Sequence, residues 1–265
     1  MQRIRCTYVN PQLKADNMER ITSRRNPLCL HLKKLGVSRS YRESCGEFIC
    51  DGFKLLEEAL IFGADITAVI TASPIPFPLP VETRVFFADR SLINSISALS
   101  SAQDILFSCR MPNPTQNDYS SGTHILLDGV QDPGNVGTII RTANAFGIRS
   151  IILTGNCADL YNPKTIRASM GAIFKQRVFS LDLAELLLLK ADGLRFIGTA
   201  SGMKSKDISR VKLKDSIIAI GSEGQGLSDG VLDLCSEIVR IPISQDCESL
   251  NAAVAAAIVI WRARS

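Results

Sequence analysis

The sequence is short of the groups by which most catalytic centres announce themselves. It has two histidines, His31 and His124, and a single tryptophan, Trp261. A histidine-based triad or a histidine-rich metal site has little to draw on. The eight cysteines include no C-x-x-C pair, so no zinc site is expected and no metal is called for. Reduced, mostly buried thiols are expected instead. No G-x-G-x-x-G and no G-x-x-x-x-G-K-[ST] occurs, which disfavours a dinucleotide site and a P-loop. The longest apolar run, Ala252 to Trp261, is about half the ~20 residues a membrane span needs. The start, Met1-Gln2-Arg3-Ile4-Arg5, leads into no apolar stretch, so no signal peptide and a cytoplasmic location are expected.

What is present describes a globular protein. Hydrophobic residues make up 46% and charged residues 21% of 265, enough for a sizeable core and for two domains or one large one. The net charge of +4 is unevenly spread: residues 1–50 hold ten bases and four acids, a local +6, against about −2 for the remainder. A basic end on a near-neutral body suggests a polyanion-binding face, with a merely solvated basic surface as the alternative.

Residues 1–111 form a first block. Phe48 to Ala64 reads as a strand end passing into a helix, Ile66 to Thr71 as a buried strand, and Val85–Ala88 and Ile105–Cys109 as further strands. Pro74, Pro76, Pro78 and Pro80 force an extended loop. Residues 112–122, rich in Pro, Asn and Ser, read as a linker. From 123 to 265 short β-rich runs at 125–128, 150–154, 195–199, 216–221 and 238–243 alternate with helical segments at 136–146, 163–174, 183–190, 229–235 and 250–264. That alternation predicts an α/β domain with a parallel sheet covered on both faces.

In such sheets ligands bind beyond the carboxyl ends of the strands, and three of those places have unusual composition. The first is Leu127 to Gly137, then Thr138 to Arg141. Asn135 sits where an N-cap belongs, and Arg141 lies about 9 Å further along the helix, within reach back toward the strand end. A simple cap and a surface ion-pair partner are the alternatives. The second is Gly221-Ser222-Glu223-Gly224-Gln225-Gly226, whose glycines fit close backbone approach to a ligand, or only a tight turn with an exposed Glu223. The third is Ile241 to Asn251, where Ser249 opens a helix whose alanines at 252, 253, 255, 256 and 257 suit core packing or a subunit interface.

In this order the three segments resemble the motifs of the SpoU/TrmH family of RNA 2′-O-methyltransferases, within the SPOUT class. The resemblance covers residues 123–264 and includes Asn162 to Ala172. Ser23–Pro27, Tyr41-Arg42 and Gly46 to Ala64 are similar to the family's substrate-binding domain, a smaller α/β fold related to RNA-binding ribosomal proteins. The resemblance implies a deep trefoil knot in the C-terminal domain, a homodimer, and S-adenosylmethionine bound at Gly221, Ile241 and Leu250, with Thr199 a further candidate. It implies catalytic roles for Asn135, Arg141, Glu223, Ser249 and Asn251, and RNA contacts at Arg24, Arg25, Lys33, Lys34 and Arg42. Two departures stand out: Ile243-Ser244-Gln245 where relatives often have Met-x-Gly, and Ala252-Ala253 where they often have Val-Ser. The added N-terminal domain points to 23S rRNA as substrate. A tRNA 2′-O-methyltransferase, a base methyltransferase of the same class and a non-catalytic RNA-binding or ribosome-assembly protein are the alternatives.

Overall fold

The structure, a computed structural model, describes residues 19–112, 119, 121–200, 205–244, 246, 247 and 249–264. The expected linker lies largely outside them, as does Gln245. The chain divides into two compact units.

The first unit begins with β1 (Glu19–Ile21), α1 (Pro27–Val37), α2 (Arg39–Cys45), β2 (Glu47–Asp51) and α3 (Phe53–Ile61). It continues with β3 (Ile66–Thr71), β4 (Arg84–Ala88), α4 (Arg90–Ile96) and β5 (Ile105–Arg110). The start of α1 is written locally: the Asn26 side chain accepts from Leu28 N–H, and Pro27 opens the helix. The sheet runs β1-β4-β3-β5-β2; β5 is antiparallel to both neighbours and the other pairs are parallel. One face packs Leu32, Leu35, Leu92 and Ile93 from α1 and α4, the other Leu55, Leu56 and Ala59 from α3.

The second unit contains β6 (His124–Asp128), α5 (Pro133–Ala145) and β7 (Ser150–Thr154). After α6 (Pro163–Ser169) come β8 (Val178–Ser180), α7 (Leu183–Ala191), β9 (Phe196–Thr199), β10 (Lys206–Asp207) and β11 (Ile217–Gly221). The chain then forms α8 (Asp229–Leu234), β12 (Glu237–Arg240) and α9 (Ala252–Ala263). All seven strands are parallel, in the order β10-β12-β9-β11-β6-β7-β8. Every residue of β6 and β7 is buried, as expected of strands covered on both faces. Leu186, Val231 and Leu234 of α7 and α8 join the core with Phe196 and Ile217 of the strands.

The boundaries differ from the expected ones in three places. Residues 161–174, which carry α6, group with the first unit: Tyr161 stacks on Phe48, and Ile166 joins the core beneath α3. The final strand stops at Arg240 rather than 243, since Pro242 has no N–H to give a ladder. Helix α5 starts three residues earlier than predicted.

Candidate functional site

The carboxyl ends of β9, β11 and β12 open onto a cavity of about 560 Å3. Its lining brings together Thr199, Gly221, Ile241 and Leu250, the four residues expected at the cofactor, with Glu223 and Ser249. A volume of that order with an apolar lining and a few polar groups suits a nucleoside-sized ligand. The Thr199 hydroxyl donates to the Ala219 carbonyl at 2.9 Å, so its proton is committed to the sheet.

The Gly221 loop is shaped by its own backbone. Ser222 and Gly226 exchange both main-chain hydrogen bonds, at 3.1 and 3.0 Å, and Gly226 takes φ +69° to close the turn. A Cβ on Gly221 would overlap the backbone of Gly226 and Leu227. The glycine thus permits the approach of one strand of the loop to the other, and it also lines the cavity. The loop ends on Ser228, whose N–H and hydroxyl both donate to the buried Asp128 carboxylate at 2.7 Å. Asp128 thereby ties the end of β6 to the segment that presents Glu223. It was not among the residues expected from sequence; its signal there is an acid closing an otherwise apolar strand.

Asn135 is not the helix cap. Asp132 is: its carboxylate accepts from Asn135 N–H at 2.8 Å, with Pro133 at the first helical position. The Asn135 side chain is therefore free for tertiary contact. Its amide donates to the Glu223 carboxylate, and its carbonyl accepts from the Asn251 amide at 3.1 Å. Asn251 in turn caps α9, accepting from Ala253 and Val254 N–H at 2.9 and 3.3 Å. The cap at this helix is thus Asn251 and not Ser249, which lines the cavity. The result is a directional relay from α9 through Asn135 to Glu223, in which each amide can face only one way.

Arg141 does not join this relay. It is exposed, and has no hydrogen-bond or ion-pair partner among the described residues. Of the expected RNA contacts, Arg24, Arg25, Lys33 and Lys34 are exposed, the Lys34 ammonium lying 5.4 Å from the Tyr41 ring centroid. Arg42 is corrected: it is 3% exposed and donates to the Leu35 carbonyl at 2.5 Å, so it holds α1 to α2 and presents no cation to solvent.

Residues 122–261 match the model of the SpoU rRNA Methylase family. A 23S rRNA (guanosine(2553)-2′-O)-methyltransferase of Bacillus subtilis, RlmP, is 30% identical over 252 residues, covering 93% of this chain and 100% of that one. An rRNA methyltransferase from Sinorhizobium meliloti superposes with a TM-score of 0.82 at 26% identity, over 93% of this chain and 97% of that one. The SpoU methyltransferase AviRb from Streptomyces viridochromogenes, solved in complex with the cofactor AdoMet, gives a TM-score of 0.77 at 25% identity, over 91% and 97%.

Proposed function

Because the chain belongs to the SpoU rRNA methylase family, we propose that it methylates a ribose 2′-hydroxyl of 23S rRNA with S-adenosylmethionine as donor. What carries this reading is the convergence of Thr199, Gly221, Ile241 and Leu250 on one cavity, with Glu223 at its wall held by Asn135. The cavity's apolar side chains and exposed main chain fit a nucleoside bearing an amino-acid tail. Gly221, Ile241 and Leu250 are the residues that hold it. When bound, that donor supplies an activated methyl group to an in-line displacement.

The protein must place the hydroxyl and take its proton. Arginine keeps its proton across the physiological range and is a poor base. Arg141, exposed and unpartnered among the described residues, acts as a clamp on a backbone phosphate, for which its planar donor set is suited. Glu223 is the only one of the five catalytic residues with a proton-accepting charged side chain; it orients the hydroxyl and receives its proton. Asn135 and Asn251 fix Glu223, and Ser249 adds a hydroxyl at the cavity.

The wider assembly follows the same reading. The chain after β12 forms a trefoil knot; in support, β12 lies between β9 and β10, and the chain beyond it returns to bring Asn251 to Asn135 at the head of α5. The protein acts as a homodimer in the cytoplasm, with Val254 and Trp261, 49% and 60% exposed and two turns apart on α9, covered by the second copy. Residues 1–111, which make up most of the first unit, are the RNA-binding, ribosomal-protein-like domain, and the exposed cations at 24, 25, 33 and 34 support that role.

The test is transfer of labelled methyl from S-adenosylmethionine to rRNA and tRNA lacking the modification, read by nucleoside mass spectrometry. A 2′-O-methylnucleoside in 23S rRNA is the expected product. Label confined to tRNA would replace the substrate, and a methylated base would replace the reaction. Arg141→Ala should lower turnover by about 100-fold or more with unchanged melting; near-wild-type turnover would remove the clamp.

A further inference from the structure

We propose that the sheet edge formed by residues 205–216 is a second RNA-contact surface, gripping the phosphate backbone along the side of the unit that leads away from the cavity. The inference rests on RNA being the substrate, as above. Burial alternates along this segment. Ile208, Val211 and Leu213 are buried, which turns Lys206, Arg210, Lys212 and Lys214 out to solvent. Three arginines from elsewhere in the unit pin its main chain. Arg240 donates to the Ser205 carbonyl at 2.7 Å, Arg195 to Lys212 at 2.7 Å and Arg262 to Ser209 at 3.1 Å.

Those seven cations stand among four carboxylates, Asp192, Asp207, Asp215 and Glu237. Glu237 is already engaged by Lys206 at 2.7 Å and by Arg195. Arg210, Lys212 and Lys214 have no hydrogen-bonded or ion-paired side-chain partner among the described residues. The concentration is local: the second unit holds 14 bases and 15 acids in all, so its remaining surface is acidic. Like charges gathered on one rim repel one another, a cost that a bound polyanion offsets while releasing its own counterions.

Lysines also serve to protect an exposed strand edge from pairing. That explains Lys206 on β10, but Lys212 and Lys214 lie beyond the strand, where no ladder is exposed. The strip starts at the cavity, where Arg240 lines the wall and holds Ser205, and runs along the sheet edge to the amino ends of the strands, where Lys212 meets Arg195 and Asp215 meets Thr123. Its ligand is a phosphodiester backbone read without regard to base, since lysines act as point charges.

The test uses the full chain and a 23S rRNA transcript, with binding followed across a salt series. The double variant Lys212→Gln, Lys214→Gln should reduce the slope of log affinity against log salt by about 1.5, from ~0.7–0.9 for each phosphate neutralised. KM for RNA should rise while kcat and affinity for S-adenosylmethionine hold. Lys212→Arg, Lys214→Arg should restore the slope, which a purely structural role would not predict. A wild-type slope in the glutamine variant, with RNA binding intact, would overturn this surface and leave the methyltransferase reading standing. A wild-type chain without affinity for the transcript would overturn both.

Discussion

Asn135 illustrates what one side chain gains when a neighbour takes over its local task. With Asp132 capping α5, the Asn135 amide is released to join Glu223 and Asn251. Substitution Asn135→Asp keeps the shape but loses the donor, and sets a second carboxylate against Glu223. Like charges at that range repel, so turnover should fall by at least ~10-fold, an order set by pairing energies of about 1–3 kcal/mol. The site is partly exposed, so melting should shift little; a large loss of stability with normal specific activity in the folded fraction would refute the relay. The sequence singled out Asn135 but misassigned its local role as the helix cap. The informative signal was Asp132-Pro133, an acid before a proline at a helix start, just upstream. Arg42 failed differently: nothing in its neighbours distinguishes a cation bonded to a buried carbonyl from one on the surface.

Among the elements, the loop between β11 and α8 depends most on a single position. Gly221→Ala would drive a methyl group into the Gly226 backbone, and overpacking of this kind costs about 1–3 kcal/mol. The loop should open, and calorimetry should show affinity for S-adenosylmethionine reduced by ~10-fold or more. Unchanged affinity would mean that the loop is not part of the cofactor wall. Elements with a strong period were legible from sequence: β3 falls at Ile66–Thr71 as predicted, and the C-terminal alternation gave the parallel sheet. The short edge strands β8 and β10 and the seven-residue helices α2 and α4 were not predicted, since one or two turns carry too little periodicity to stand out. α6 was expected within the second domain because its motif is contiguous with it in sequence; its packing partners, Phe48 among them, lie more than a hundred residues away.

At the scale of the whole molecule, charge is divided between the units: the first holds 16 bases and 11 acids, the second 14 and 15. Neutralising Arg24, Arg25, Lys33 and Lys34 together should therefore weaken RNA binding at low salt and flatten its salt dependence, by ~0.7–0.9 in slope for each phosphate no longer neutralised. An unaltered slope would take that face out of the interaction. The total of +4 conceals this arrangement, and only position along the chain reveals it. The order of the second sheet has a further consequence, one of timing. Its central strands β9 and β11 and the strand β12 beside them are made late, and the cavity lining runs from Thr199 to Ala255. During synthesis β6 emerges with its inner neighbour β11 missing, and the cavity lining is not complete until the start of α9 has been made. A ligand of that cavity therefore cannot template folding of the nascent chain, which must keep the open edge of the buried, apolar β6 from aggregation by itself or with a chaperone until β11 is made.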